Sequence, residues 1–153
     1  MITALDVPAL RAKQATDIHI GSDYDILQRL GPIHLADRQM LHVMTITGDQ
    51  RLIDCHVAAI GSDQNCEISP KEIFRYALYD CASLIAIVQN HPSGDPTPTE
   101  SEKQAAEDLV SAGLTIDIPV IDHIIVATGG WYSFEAEAFT PDRHNRTSED
   151  IPF

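Results

Sequence analysis

A chain of 153 residues with 44% apolar side chains has room for one domain with a genuine hydrophobic core. Ten Lys and Arg against 23 Asp and Glu give a formal net charge of -13, and the basic residues are scattered. No segment therefore supplies the basic stripe that phosphate recognition needs, and a basic or neutral protein or peptide partner is expected rather than a nucleic acid.

Residues 1–21 have mixed polarity and weak periodicity, and are expected to form an arm or short helix packed on a domain spanning 22–139. Ser22 is placed to cap a helix over 23–30, and Gly31 stops it. Residues 41–47, LHVMTIT, are predicted as a strand followed by a turn at GDQ. Another strand covers 52–60, and of its two faces the one carrying Ile53, Cys55, Val57 and Ala59 is the more uniformly apolar. A polar loop over 61–65 follows. Ser69 then caps a helix with Pro70 in its first position and Glu72 completing a capping box; Ile73, Phe74, Ala77, Leu78 and Cys81 share the face toward a sheet.

The run at 83–88, SLIAIV, is short and continuously apolar, the signature of a central strand covered on both sides. A helix over 100–112 is stopped by Gly113. The apolar strand 119–127 turns at Gly129-Gly130 into a hairpin partner over 131–134, and 140–153 is a polar tail. Strands alternating with helices, with hairpins at both ends of the order, predict a three-layer α/β fold with a mixed sheet. No stretch approaches the roughly 20 apolar residues of a membrane span. MITALDVPALRAKQ lacks the basic patch and apolar run of a secretory signal. Cys55, Cys66 and Cys81 are odd in number without C-x-x-C spacing, so reduced thiols and a cytoplasmic location are expected.

The junction from 88 to 102 carries the chemistry. A buried strand delivers Gln89, Asn90 and His91 to its carboxyl end, a loop with three prolines and Gly94 turns, and a helix begins. The run Asn90-His91-Pro92-Ser93-Gly94-Asp95-Pro96-Thr97-Pro98 resembles the hallmark loop of the RadC-like family within the JAB/MPN metalloprotease superfamily. Arg51-Leu52-Ile53 to Gly61, Pro70 to Phe74 with Ala77-Leu78, Ala112-Gly113 and Asp122 to Val126 are similar to that family in order and spacing. The resemblance implies a three-layer α/β/α JAB/MPN (cytidine-deaminase-like) fold with a mixed central sheet. It also implies a zinc-dependent hydrolase of peptide or isopeptide bonds.

Carried over residue by residue, the family's first zinc histidine corresponds to Gln89, its second to His91 and its aspartate to Glu102. The oxyanion serine corresponds to Thr99 and the general-base glutamate to His56. Only His91 is retained outright. A carboxamide is a poor zinc ligand, and an imidazole in place of the glutamate removes the carboxylate that would take a proton from water.

Two readings stay open for most of these positions. Thr99-x-x-Glu102 is also a capping box, His91 also suits a structural histidine, and His56 suits either the core or a new two-His, one-carboxylate set with His91 and Glu102. Asp122-His123 is expected to orient a neighbouring loop, and Asp95 to form a turn. Two functions follow: a JAB/MPN domain that has lost hydrolysis and binds a partner, or an active zinc hydrolase with a rearranged site. The DNA-repair label attached to the family gains no support from the charge.

Overall fold

The computed structural model describes residues 13–63 and 66–135. The first twelve residues, two residues of the loop after Gly61 and the tail lie outside the described residues. Helix α1, Asp23–Leu30, starts where Ser22 Oγ accepts the Asp25 N–H and ends at Gly31. Strands β1, Met40–Ile46, and β2, Leu52–Ile60, form an antiparallel hairpin. Helix α2 is Pro70–Tyr79, β3 is Leu84–Asn90, α3 is Glu100–Thr115, β4 is Val120–Ala127 and β5 is Gly130–Ser133. The five strands lie in the order β2-β1-β3-β4-β5. Only β3 and β4, joined through α3, run parallel, so the sheet is mixed as the alternation predicts.

Two apolar layers flank the sheet. One gathers Met44, Ile46, Ala86, Val88, Ile124 and Val126 against Ile26 and Leu27 of α1 and Ile20 of the preceding segment. The other sets Val43, Ile85 and Ile87 against Ile73, Phe74 and Ala77 of α2 and Leu109 of α3. Each fully buried Ile or Leu contributes about 1.5–3 kcal/mol relative to an exposed one. The segment before α1 docks by backbone pairing: Thr16 N–H donates to Leu52 O at 2.8 Å, and Leu52 N–H donates to Ile18 O at 2.9 Å.

Three local expectations are corrected. The face of β2 expected to be apolar is split, because register slips opposite Thr45/Ile46 and Leu41/His42 interrupt the alternation. Ile53 and Ala59 go to the α2 layer, Cys55 goes to the opposite one, and Val57 is exposed. Ser69 makes no side-chain cap bond, the Glu72 carboxylate pairs with Lys71 and Arg75, and Leu78 and Cys81 are exposed. Gly113 does not stop α3; it lies inside the helix, where a Cβ would meet Ile118 O at 2.6 Å and Phe74 Cζ at 3.1 Å.

Candidate functional site

Strand β3 runs two residues further than its apolar core suggests, so Gln89 and Asn90 are strand residues and His91 starts the loop. Asn90 clips the chain before β1: its Oδ1 accepts the Met40 N–H at 2.7 Å, and its Nδ2 donates to Arg38 O at 2.8 Å. Gly94 at φ +89° makes the bend, with Gly129 N–H donating to its carbonyl at 2.9 Å. Asp95 forms the predicted turn, its Oδ1 accepting the Thr97 N–H at 2.9 Å. The loop delivers Thr99 as the cap of α3, which brings Glu102 back over the end of β3.

Gln89, His91, Thr99 and Glu102 converge on one carboxylate. Glu102 Oε1 accepts from Gln89 Nε2 at 2.6 Å, from His91 Nε2 at 2.8 Å and from Gln39 Nε2 at 3.3 Å. Its Oε2 accepts from the Thr99 N–H at 2.8 Å and Thr99 Oγ1 at 2.9 Å. The capping box and the site are therefore the same object: one oxygen starts the helix and the other pairs with His91.

The network fixes its own protons. An ionised carboxylate only accepts, so the Gln89 atom at 2.6 Å is its nitrogen, and Gln89 Oε1 turns to His123 Nε2 at 3.1 Å. His91 Nδ1 donates to Asp95 O at 2.9 Å, while Nε2 lies 2.8 Å from Glu102 Oε1 and 3.1 Å from Gln89 Nε2. The ionised carboxylate draws a proton onto Nε2 against the amide donor beside it and favours the imidazolium. Burial pushes the His91 pKa down, but the Glu102 hydrogen bond and the Asp95 carbonyl outweigh it and hold it above the ordinary 6.5. Burial likewise pushes Glu102 up, and the bonds from His91 and Thr99 overcome it, holding the carboxyl at about 2. His123, fully buried, is pushed by desolvation to about 4 and stays neutral.

His56 is not part of this cluster. It lies on edge strand β2, two strands from Gln89, stacked on Tyr76 with Nε2 2.6 Å from Asp80 Oδ2. Among the described residues no ligand set holds both His56 and His91, so the two-His, one-carboxylate arrangement with Glu102 is not assembled. Asp122 takes the expected structural role, accepting from Ser133 Oγ at 2.7 Å and from the Glu135 N–H at 3.2 Å. His123 orients Gln89 rather than a loop. Gln39 was not singled out by sequence; it precedes β1 and reaches Glu102 from a segment held by Asn90 and by backbone bonds of Gln39 to Ser62 and Gly61.

The sequence profile of the RadC-like JAB domain matches residues 23–139. The chain belongs to the RadC-like JAB domain family. A UPF0758 protein of Symbiobacterium thermophilum is 36% identical over 101 residues, covering 66% of this chain and 43% of the relative. One of Chlorobium phaeovibrioides is 31% identical over 126 residues, covering 82% and 56%. Another, of Thermotoga maritima, is 33% identical over 101 residues, covering 66% and 46%. The chain thus spans about half the length of the curated relatives it matches. Among the described residues no helix is long and apolar enough to cross a membrane.

Zinc is the ion that JAB membership brings into question. A catalytic zinc takes three protein ligands and keeps a fourth position open. Here His91 and Glu102 can ligate, but the third position presents the Gln89 carboxamide, whose nitrogen donates to Glu102 and whose oxygen is turned to His123. This donor set does not fit zinc. Glu102, held at about 2, is too acidic to serve as a general base near neutrality.

Proposed function

We propose that this RadC-like JAB domain has exchanged metal-dependent hydrolysis for a metal-free ion pair, and serves as a binding module for a protein or peptide. The observation that carries the reading is Glu102 Oε1 receiving both Gln89 Nε2 and His91 Nε2, at 2.6 and 2.8 Å. An imidazolium supplies the positive charge that the carboxylate would otherwise draw from a cation, so the site is neutralised from within. The net charge of -13 supports a basic or neutral partner, recruited by long-range attraction and sensitive to salt.

Restoring a ligand tests the loss. Gln89→His replaces the donor amide with an imidazole facing His91 and Glu102, giving a two-histidine, one-carboxylate set on an unchanged loop. The variant should acquire zinc that is lost again on adding His91→Ala, while the parent holds none at His91. Stoichiometric zinc in the parent that His91→Ala removes, or amide hydrolysis by the parent that a chelator stops, overturns the reading.

A further inference from the structure

A second polar cluster lies on edge strand β2, two strands from the His91 cluster. Asp54 and His56, two apart on β2, project to one side, and Asp80 ends α2 above them. A ligating atom from each lies within 4.8 Å of the other two. Asp80 is fully buried. Its Oδ2 accepts from Thr45 Oγ1 and His56 Nε2, each at 2.6 Å. Its Oδ1 accepts no hydrogen bond.

This carboxylate is in an expensive place. It sits at the negative end of a helix, beside a second carboxylate, with one oxygen unsatisfied, so it calls for a cation. Lys13 supplies the nearest one: its ammonium pairs with Asp54 and stands 3.9 Å from Asp80 Oδ1. Asp80 Oδ1 thus has an ammonium at ion-pair distance but no hydrogen bond, and Lys13 brings a positive charge to the cluster. Lys13 and Asp54 are both over one-third exposed, which leaves a side open to water.

We propose that Asp54, His56 and Asp80 bind a divalent transition-metal ion, with Lys13 as its built-in competitor. Two carboxylates and an imidazole are a mixed oxygen and nitrogen set suited to zinc, iron or manganese in an open site, where water fills the remaining positions. In the metal-free form Nε2 of His56 must carry a proton to donate to Asp80. Metal binding at Nε2 shifts the neutral ring to its Nδ1–H tautomer, the proton passing by exchange with solvent, and Nε2 turns from donor to ligand. Lys13 leaves, and the metal takes over the charge that the ammonium offers Asp80 Oδ1 at 3.9 Å. The site shares no residue with the His91 cluster, so it stands independently of the function proposed above.

Titration of the full chain with Co²⁺, followed by its visible absorption and by displacement with Zn²⁺, tests the site. One equivalent should bind. His56→Ala should weaken binding roughly a hundredfold and the half-exposed Asp54→Asn about tenfold. Lys13→Ala should tighten it about two- to fivefold, the worth of an exposed ion pair. His91→Ala should leave it unchanged. Absence of binding in both the parent and Lys13→Ala overturns the proposal, as does binding untouched by His56→Ala and Asp54→Asn. Binding that His91→Ala abolishes overturns both the proposal and the metal-free reading of the His91 cluster, whereas absence of binding leaves that reading standing.

Discussion

Replacing Glu102 with glutamine removes the charge on which five hydrogen bonds converge. The new amide places a donor against either the Gln89–His91 side or the Thr99 side, so at least one side loses its acceptor. The magnitude follows from the carboxyl's displacement from an ordinary 4.5 to about 2. At about 1.4 kcal/mol per unit this is of order 3 kcal/mol, an upper value that counts the His91–Glu102 pair once. The Glu102 side chain is only 13% exposed, so solvent screening takes little from it.

The pH dependence has a definite sign. Glu102 is depressed, so its contribution is present above 4.5 and fades as pH falls through about 2. His91 is raised, so its contribution is complete below 6.5 and fades as pH rises through its folded value. The stability difference between parent and Glu102→Gln, from urea unfolding, should therefore peak between 4.5 and 6.5 and shrink on both sides. The corresponding fall in Tm near the peak is roughly 6–12 °C. A difference below about 1 kcal/mol throughout, as for an exposed ion pair, would refute the reasoning.

Asp122 acts in the opposite sense. Burial raises its carboxyl from 3.8 to about 7, so the folded state binds its proton more tightly and stability declines as pH rises across that interval. Asp122→Asn should flatten that decline in urea unfolding, and an unchanged slope would assign it to other groups. Gly113→Ala should destabilise by about 1–3 kcal/mol despite alanine's better helix propensity, because its Cβ meets Ile118 O at 2.6 Å. Equal or greater stability in the same assay would contradict that contact.

Local signals in the sequence were reliable where one short segment decides the outcome. Ser22 and Gly31 bound α1 because cap and stop act within a turn of the backbone they satisfy. Spacing brought Gln89, His91, Thr99 and Glu102 together because a strand end, a rigid loop and a helix start leave them little freedom. Long-range packing decided the rest. Gly113 reads as a stop, yet it is glycine because β4's lead-in passes against the helix at Ile118. Ser69 and Glu72 match the same capping pattern as Thr99 and Glu102, but the Glu72 carboxylate pairs with Arg75 and Lys71. The β2 slips moved Ile53 and Cys55 to opposite layers, which no alternation pattern in one strand reveals. His56 could be aligned to a catalytic position by sequence, but its bond to Asp80 depends on where α2 ends over the sheet.

The protonation of the His91 ring tests the central claim most directly. Proton–nitrogen correlation NMR at about pH 6, with and without one equivalent of Zn²⁺, reports both ring nitrogens below the residue's raised titration point. The account predicts two protonated nitrogens whose signals do not move when zinc is added. A neutral ring with a bare Nε2 that shifts on zinc addition would contradict it.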